Sequence, residues 1–167
     1  MYEGRDGYGS FGAETAGDED QAKEKGKMEK KVTQSTREII EGDAYGEAIG
    51  AELVDIREGW ARVRLDLAPR HLNFLGMVHG GVIFSLADLA FGAAANSFGT
   101  RAMALSVGVD FLAAAPVDGE LTAEVELVKR AGRTGFYRME VRDGEGSEIA
   151  RCHGWAYHTG KPLAEDG

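Results

Sequence analysis

Residues 77–98 read MVHGGVIFSLADLAFGAAANSF, an apolar run in which Asp88 is the only carboxylate and His79 the only other ionisable side chain. From Gly80 onward the residues are good or tolerable helix formers and Gly99 offers a stop, so the run predicts one long helix. Apolar groups fall on almost every side of it, which means that other elements have to enclose it. Whatever else this chain forms must therefore wrap a helix. The lone acid inside that helix needs a specific cause. An ionised carboxylate is costly to bury unless something pairs with it or hydrogen-bonds to it, and acids occupy such places mainly when chemistry or a partner requires them.

The flanking sequence supplies the wrapping. Residues 51–56 and 60–67 are strand-like and meet at Arg57-Glu58-Gly59; in the second, Ala61, Val63, Leu65 and Leu67 alternate with Arg62, Arg64 and Asp66. That is a hairpin with one wet face. After the helix, 103–111 places Leu105, Val107, Val109 and Phe111 on one face and Ser106, Gly108 and Asp110 on the other. Residues 121–129 alternate in the same way, and 136–142 and 148–157 are joined at the turn Asp143-Gly144-Glu145-Gly146. Upstream, Ile39, Ile40, Tyr45, Ala48 and Ile49 recur at helical spacing, interrupted by Gly42 and Gly46, which predicts one or two short helices. Residues 69–78 show no clear period. The resulting expectation is an α+β domain in which a curved antiparallel sheet of about six strands wraps one long central helix. Free sheet edges make self-association an expected property.

With 167 residues the chain is long enough for one domain with a core of its own. The boundaries read as a domain over 32–160, a disordered Gly-rich, mixed-charge tail over 1–31 and a short C-terminal tail over 161–167. Met28 opens the segment leading into the periodic region, so the residues before it read as dispensable or as an upstream start. A net charge of -9 gives no electrostatic footprint for nucleic acid or anionic lipid. The strongly apolar part of the central run, 82–95, is shorter than the roughly 20 residues of a membrane span. One cysteine, Cys152, forms no internal disulfide, which fits a cytoplasmic setting. His71, His79, His153 and His158 have no metal-ligand spacing, so no metal is expected. Adjacent strand residues face opposite ways, so Cys152-His153 reads as structural.

The string HLNFLGMVHGGVIFSLADLAF, with ALSVGVDFLAAA at 104–115 and GRTGFYRMEV at 132–141, resembles the hotdog-fold acyl-CoA thioesterases of the phenylacetic acid degradation (PaaI) type. The resemblance covers roughly 43–159. It implies a hotdog fold and hydrolysis of an acyl-CoA thioester, aryl-acyl or medium-chain, to free acid and CoA, with no cofactor beyond the CoA of the substrate. The HGG motif falls on His79-Gly80-Gly81 and the family's acid on Asp88, as general base or nucleophile. Gly80 lends its backbone N–H as oxyanion donor, Asn73 holds the substrate or attacking group, Ser106 helps position water, and His79 fixes the helix start. Gly81, Arg130, Arg133, Thr134 and Phe74 are implied on the substrate and CoA side, with Leu75 and Phe91 as further pocket residues. A homodimer is implied as the minimal active unit and a homotetramer as the assembly. The helix N-terminus supports the Gly80 assignment physically, since its first N–H groups lack intrahelical partners and sit at the positive end of the dipole.

Plainer readings stand beside these. Asp88 can be a structural acid satisfied by backbone or Ser groups, Gly80 and Gly81 a tight turn into close packing, Ser106 an ordinary strand serine, and Arg130 and Arg133 a solvated hairpin end. Two other functions compete: a hotdog enoyl-CoA hydratase or dehydratase, and a non-catalytic acyl-thioester binding protein.

Overall fold

Every alternating run forms a strand in the computed structural model, which describes residues 31–164. In chain order the elements are α1 (Gln34–Glu41), α2 (Ala44–Ile49), β1 (Ala51–Arg57), β2 (Trp60–Asp66), a 3-10 turn (Pro69–His71), α3 (Gly80–Asn96), β3 (Thr100–Phe111), β4 (Glu120–Ala131), β5 (Thr134–Asp143) and β6 (Glu148–Pro162). The strands form one six-stranded antiparallel sheet in the order β1-β2-β4-β5-β6-β3. α3 packs across its inner face, which is the hotdog arrangement expected from the sequence. The readings for residues 1–30, including the start at Met28, lie outside the described residues, as do positions 165–167.

Strand side chains alternate between faces, so the registers line up the buried ones in rows. Ala61 of β2 faces Val125 of β4, Val125 faces Met139 of β5, and Met139 faces Cys152 of β6; a parallel row runs Val63, Ala123, Val141, Ala150. These residues are buried. The inner face of β6 is built from small groups, Ala150, Cys152, Gly154 and Ala156, which lets α3 lie close to the sheet. A Cβ on Gly154 would come within 2.9 Å of Met139 Cε and 3.0 Å of the Phe91 ring. Phe91 of α3 completes this contact edge-on to Tyr137, with ring centroids 5.1 Å apart. The outer face carries cross-strand ion pairs: Arg62 with Glu124 at 2.7 Å, Arg64 with Glu52 at 2.9 Å, and Arg138 with Glu126. They are half-exposed and add little stability each, but they keep that face wet.

Two expectations are corrected. α3 is not enclosed on every side. Ile83, Leu86, Ala87, Ala90, Phe91 and Ala94 are buried, whereas Gly81, Ser85, Asp88, Gly92 and Asn96 follow one another at helical spacing and are exposed or half-buried. That stripe is made of small or uncharged groups apart from Asp88, so hydropathy hides it. β3, the edge strand, also departs from simple alternation. Its pairing with β6 shifts between Thr100 and Ala102 and again between Ala104 and Ser106, and such bulges re-aim side chains. Leu105, expected on the buried face, is 61% exposed, and Met103 is 59% exposed.

The ends of α3 are fixed by side chains. His79 is the N-cap, its Nδ1 accepting from the Gly81 N–H at 2.8 Å. At the other end Asn96 brackets the turn into β3, accepting from the Ala102 N–H at 2.9 Å and donating to the Ala102 carbonyl at 3.2 Å. Gly99, at φ +70°, reverses the chain. Among the described residues no helix is long and apolar enough to cross a membrane.

Candidate active site

The wet stripe of α3 forms the floor of a cleft of about 820 Å³. α1, α2 and β1 wall it, through Ile39, Ile40, Tyr45, Leu53 and their neighbours, and Asp88 lies in it beside Ser85 and Leu89. Among the described residues the Asp88 carboxylate has no hydrogen-bond or ion-pair partner. The structural reading of this acid therefore has no bond to rest on, and the nearby Ser85 hydroxyl is committed to Tyr45 Oη at 2.8 Å. Asp88 is reachable from solvent, yet the cleft walls crowd it. That partial burial, and then the charge of Asp43, raise its pKa above the ordinary carboxylate value.

Gly80 lies elsewhere, in a second cleft of about 390 Å³ formed with Met77, Val78, Ile83, Phe111 and the 112–115 segment. It is the first residue of α3, and among the described residues its N–H has no acceptor. The Phe111 ring covers it so closely that a Cβ would sit 3.3 Å from Cζ. Gly81 is shaped by its neighbour in the same way: a Cβ there would meet His79 Nδ1 at 2.9 Å, so the glycine is what allows the histidine cap to close. Because Nδ1 accepts that bond, the ring proton of neutral His79 is on Nε2. Eight residues separate Gly80 from Asp88, about 12 Å along the helix axis and roughly 80° around it. Within one protomer the two groups cannot touch the same ester carbonyl.

The remaining predicted residues are not gathered around Asp88. Asn73 shapes the loop before α3: its Oδ1 accepts from the Leu75 N–H at 2.8 Å and the Met77 N–H at 3.2 Å, and its backbone pairs with Met77. This hairpin-like loop turns at Gly76, φ +71°, and pushes Phe74 into solvent, 95% exposed. Ser106 is exposed on the bulged part of edge strand β3. Phe91, read from the sequence as a pocket residue, is instead a core residue, 1% exposed, because it falls on the buried side of α3. Arg130, Arg133 and Thr134 meet at the β4–β5 hairpin: Arg130 lies over the Phe98 ring, Arg133 donates to Tyr157 Oη at 3.0 Å, and Thr134 closes the turn onto the Ala131 carbonyl. Both guanidiniums are solvent-facing. Cys152 is buried, with its thiol pushed up to about 11 by that burial, and His153 is on the opposite face against Phe136. Among the described residues no His, Cys, Asp and Glu cluster could hold a metal ion.

Asp43, Tyr45 and Ser85 also line the site, and the motif reading passed over them. The available signals were slight: Asp43 stands where an N-cap is expected, and Ser85 is three residues before Asp88 on the same helical face.

Comparison with known proteins places this architecture. The acyl-coenzyme A thioesterase PaaI of Escherichia coli (strain K12) is 32% identical over 133 residues, 80% of this chain and 95% of that protein. The pattern of the thioesterase superfamily matches residues 75–150. The chain belongs to the thioesterase superfamily, and to its PaaI type. The solved structure of the E. coli PaaI protein from the phenylacetic acid degradation operon superposes on this thioesterase with a TM-score of 0.74 and 31% identity, covering 78% of this chain and 95% of that one. The TT0310 protein from Thermus thermophilus superposes with a TM-score of 0.66 and 34% identity, over 69% of this chain and 97% of that one. The protein is thus a thioester hydrolase with the hotdog fold, which sets aside the hydratase and non-catalytic readings.

Proposed function

We propose that this thioesterase hydrolyses an aryl-acyl or medium-chain acyl-CoA, with Asp88 of one subunit and the Gly80 N–H of a second acting on the same thioester. One observation carries the reading. The unpartnered carboxylate and the unpartnered helix-start N–H lie in separate clefts of one protomer, so a complete site needs two copies. β3 offers the means of association, since it is a free sheet edge exposing Met103 and Leu105, next to Phe111 and Leu112. On the outer face Phe136 and Trp155 pack 5.0 Å apart with Trp155 42% exposed, a surface suited to pairing two dimers into a tetramer.

In the reaction a C–O bond to the acyl carbon forms and the C–S bond breaks. As the carbonyl oxygen gains charge, the Gly80 N–H at the positive end of α3 donates to it. As general base, Asp88 takes a proton from the attacking water and passes it to the departing thiolate, which leaves as CoA; as nucleophile, it attacks the carbon itself, the thiolate leaves and takes its proton from solvent, and water then hydrolyses the acyl-Asp88 anhydride to free acid and the regenerated carboxylate. The raised pKa of Asp88 suits proton transfer, because it brings the group closer to neutral pH. Asn73 and Ser106 serve the reacting groups from the partner side. Arg130 and Arg133 suit CoA phosphates, the guanidinium being a match for phosphate geometry.

The test measures thiol release from an acyl-CoA panel. Asp88→Asn should lose on the order of 10²-fold or more in kcat, the usual worth of a general base. Gly80→Pro deletes the N–H at a first helical position, which proline accepts, though its Cβ crowds the Phe111 ring; with a native circular dichroism spectrum to show that the fold survives, it should cost about 10²–10³ in kcat. Mixed after joint refolding, the two inactive variants should recover about a quarter of wild-type activity, since half of the random dimers then hold one intact composite site. No recovery would place donor and acid in the same subunit and end the composite-site reading.

A further inference from the structure

α2 is a helix of six residues laid across the wet face of α3, and it is pinned on both sides of Asp88. Tyr45 Oη bonds Ser85 Oγ at 2.8 Å, one turn before Asp88. Gly46, buried, lies against Leu89, the residue after Asp88; a Cβ there would touch its methyl groups at 3.5 and 3.7 Å. The N-cap of the same helix is Asp43, whose Oδ1 accepts from the Tyr45 N–H at 3.0 Å and the Gly46 N–H at 2.8 Å. These bonds fix the Asp43 carboxyl group in the cleft that holds Asp88.

Among the described residues the other charges of the cleft are Glu41 at the end of α1, Glu47 on α2 and Glu52 on β1, and no Lys, Arg or His lines it. Glu41 is neutralised by Arg37 at 2.7 Å and Glu52 by Arg64 at 2.9 Å. Asp43 has no such cation among the described residues, and of the four acids it is the one whose charge bears on Asp88.

We propose that Asp43 is a positioning residue for catalysis: held by the α2 cap in the cleft that contains Asp88, it acts through its charge on the reacting carboxylate. The assignment rests on Asp88 being the reacting carboxylate. Like charges sharing a low-dielectric cleft disfavour joint ionisation, so the one not tied up by N–H donors is the one that gains basicity. Asp43 is tied by two such donors and Asp88 by none. A short helix whose cap is an acid thus serves both as a wall of the cleft and as a fixed charge within it.

Asp43→Asn separates these functions, because asparagine caps a helix as well as aspartate does but carries no charge. The readout is the pH profile of kcat/KM for a hydrolysed acyl-CoA in wild type, Asp43→Asn, Asp43→Ser and Asp88→Asn. The acid limb should move to lower pH in both Asp43 variants, with KM little changed, and the displacement should shrink in high salt as screening takes over. An acid limb that coincides with wild type in both variants, while Asp88→Asn is inactive, would overturn the role of Asp43 and leave Asp88 standing. Normal turnover by Asp88→Asn would instead remove the reading on which the proposal rests. Asp43→Ser, which also caps, guards against a folding defect in one variant being taken for an electrostatic effect.

Discussion

Asp88 illustrates how the partial burial of one carboxyl group costs stability. Its carboxyl has a higher pKa in the folded chain than in the unfolded one, first through burial by the cleft and then through Asp43. The folded state therefore holds the Asp88 proton more tightly, and its stability declines as pH rises through the carboxylate range, the deficit persisting at neutral pH. Replacing the acid by a neutral isostere should recover that deficit. Asp88→Asn is expected to melt higher than wild type at pH 7, with the difference closing below about pH 3, where both side chains are uncharged. Thermal unfolding followed by circular dichroism at the two pH values measures this, and a variant that melts lower at pH 7 would show that the ionised carboxylate is stabilised by the fold. The residue was legible from sequence because it was the sole acid in an apolar run. Its neighbours Asp43 and Tyr45 were not, since nothing in their own segment says that α2 folds back over α3.

At the scale of elements, helix-period and strand-period signals located all six strands and α3, because each buries one face or stripe against the same core. They failed where a register shift or a partly wet helix broke the rule. The bulges in β3 turn Leu105 outward, and the stripe from Gly81 to Asn96 is open although almost nothing on it is charged. The contact between α3 and β6 depends on Gly154, which leaves room for the Phe91 ring and Met139. Gly154→Ala should crowd both and destabilise the fold by about 1–3 kcal/mol, as overpacking does in a well-filled core. Chemical denaturation at fixed protein concentration reads the change; an unchanged midpoint would mean that the sheet and helix give way there without strain. The cap at Gly81 teaches the same lesson on a smaller scale, a missing Cβ being what admits the His79 ring.

At the scale of the whole molecule, the proposed two-copy site is what experiment has to test. One protomer presents an acid without a donor in one cleft and a donor without an acid in another, along with an apolar free edge. Leu105→Asp places charge on that edge without touching the core, since the side chain is 61% exposed in the protomer. It should shift the protein toward monomer in sedimentation velocity and lower thioester hydrolysis in parallel, while far-ultraviolet circular dichroism stays native. A monomeric variant with full activity would contradict the two-copy site.

Resemblance to a known family linked the HGG motif to thioester chemistry, while the residues themselves determined that a curved antiparallel sheet must wrap a helix and that this helix starts at a glycine pair and carries one acid. Those are local properties, written in the alternation of strands, in the conformational demands of Gly80 and Gly81, and in the cost of placing a charge among apolar neighbours. Only the tertiary structure decided that one side of the helix is open, that α2 carries Asp43 and Tyr45 onto that opening, and that Gly80 and Asp88 line separate clefts. Distances between elements depend on packing and register, which no window along the chain contains.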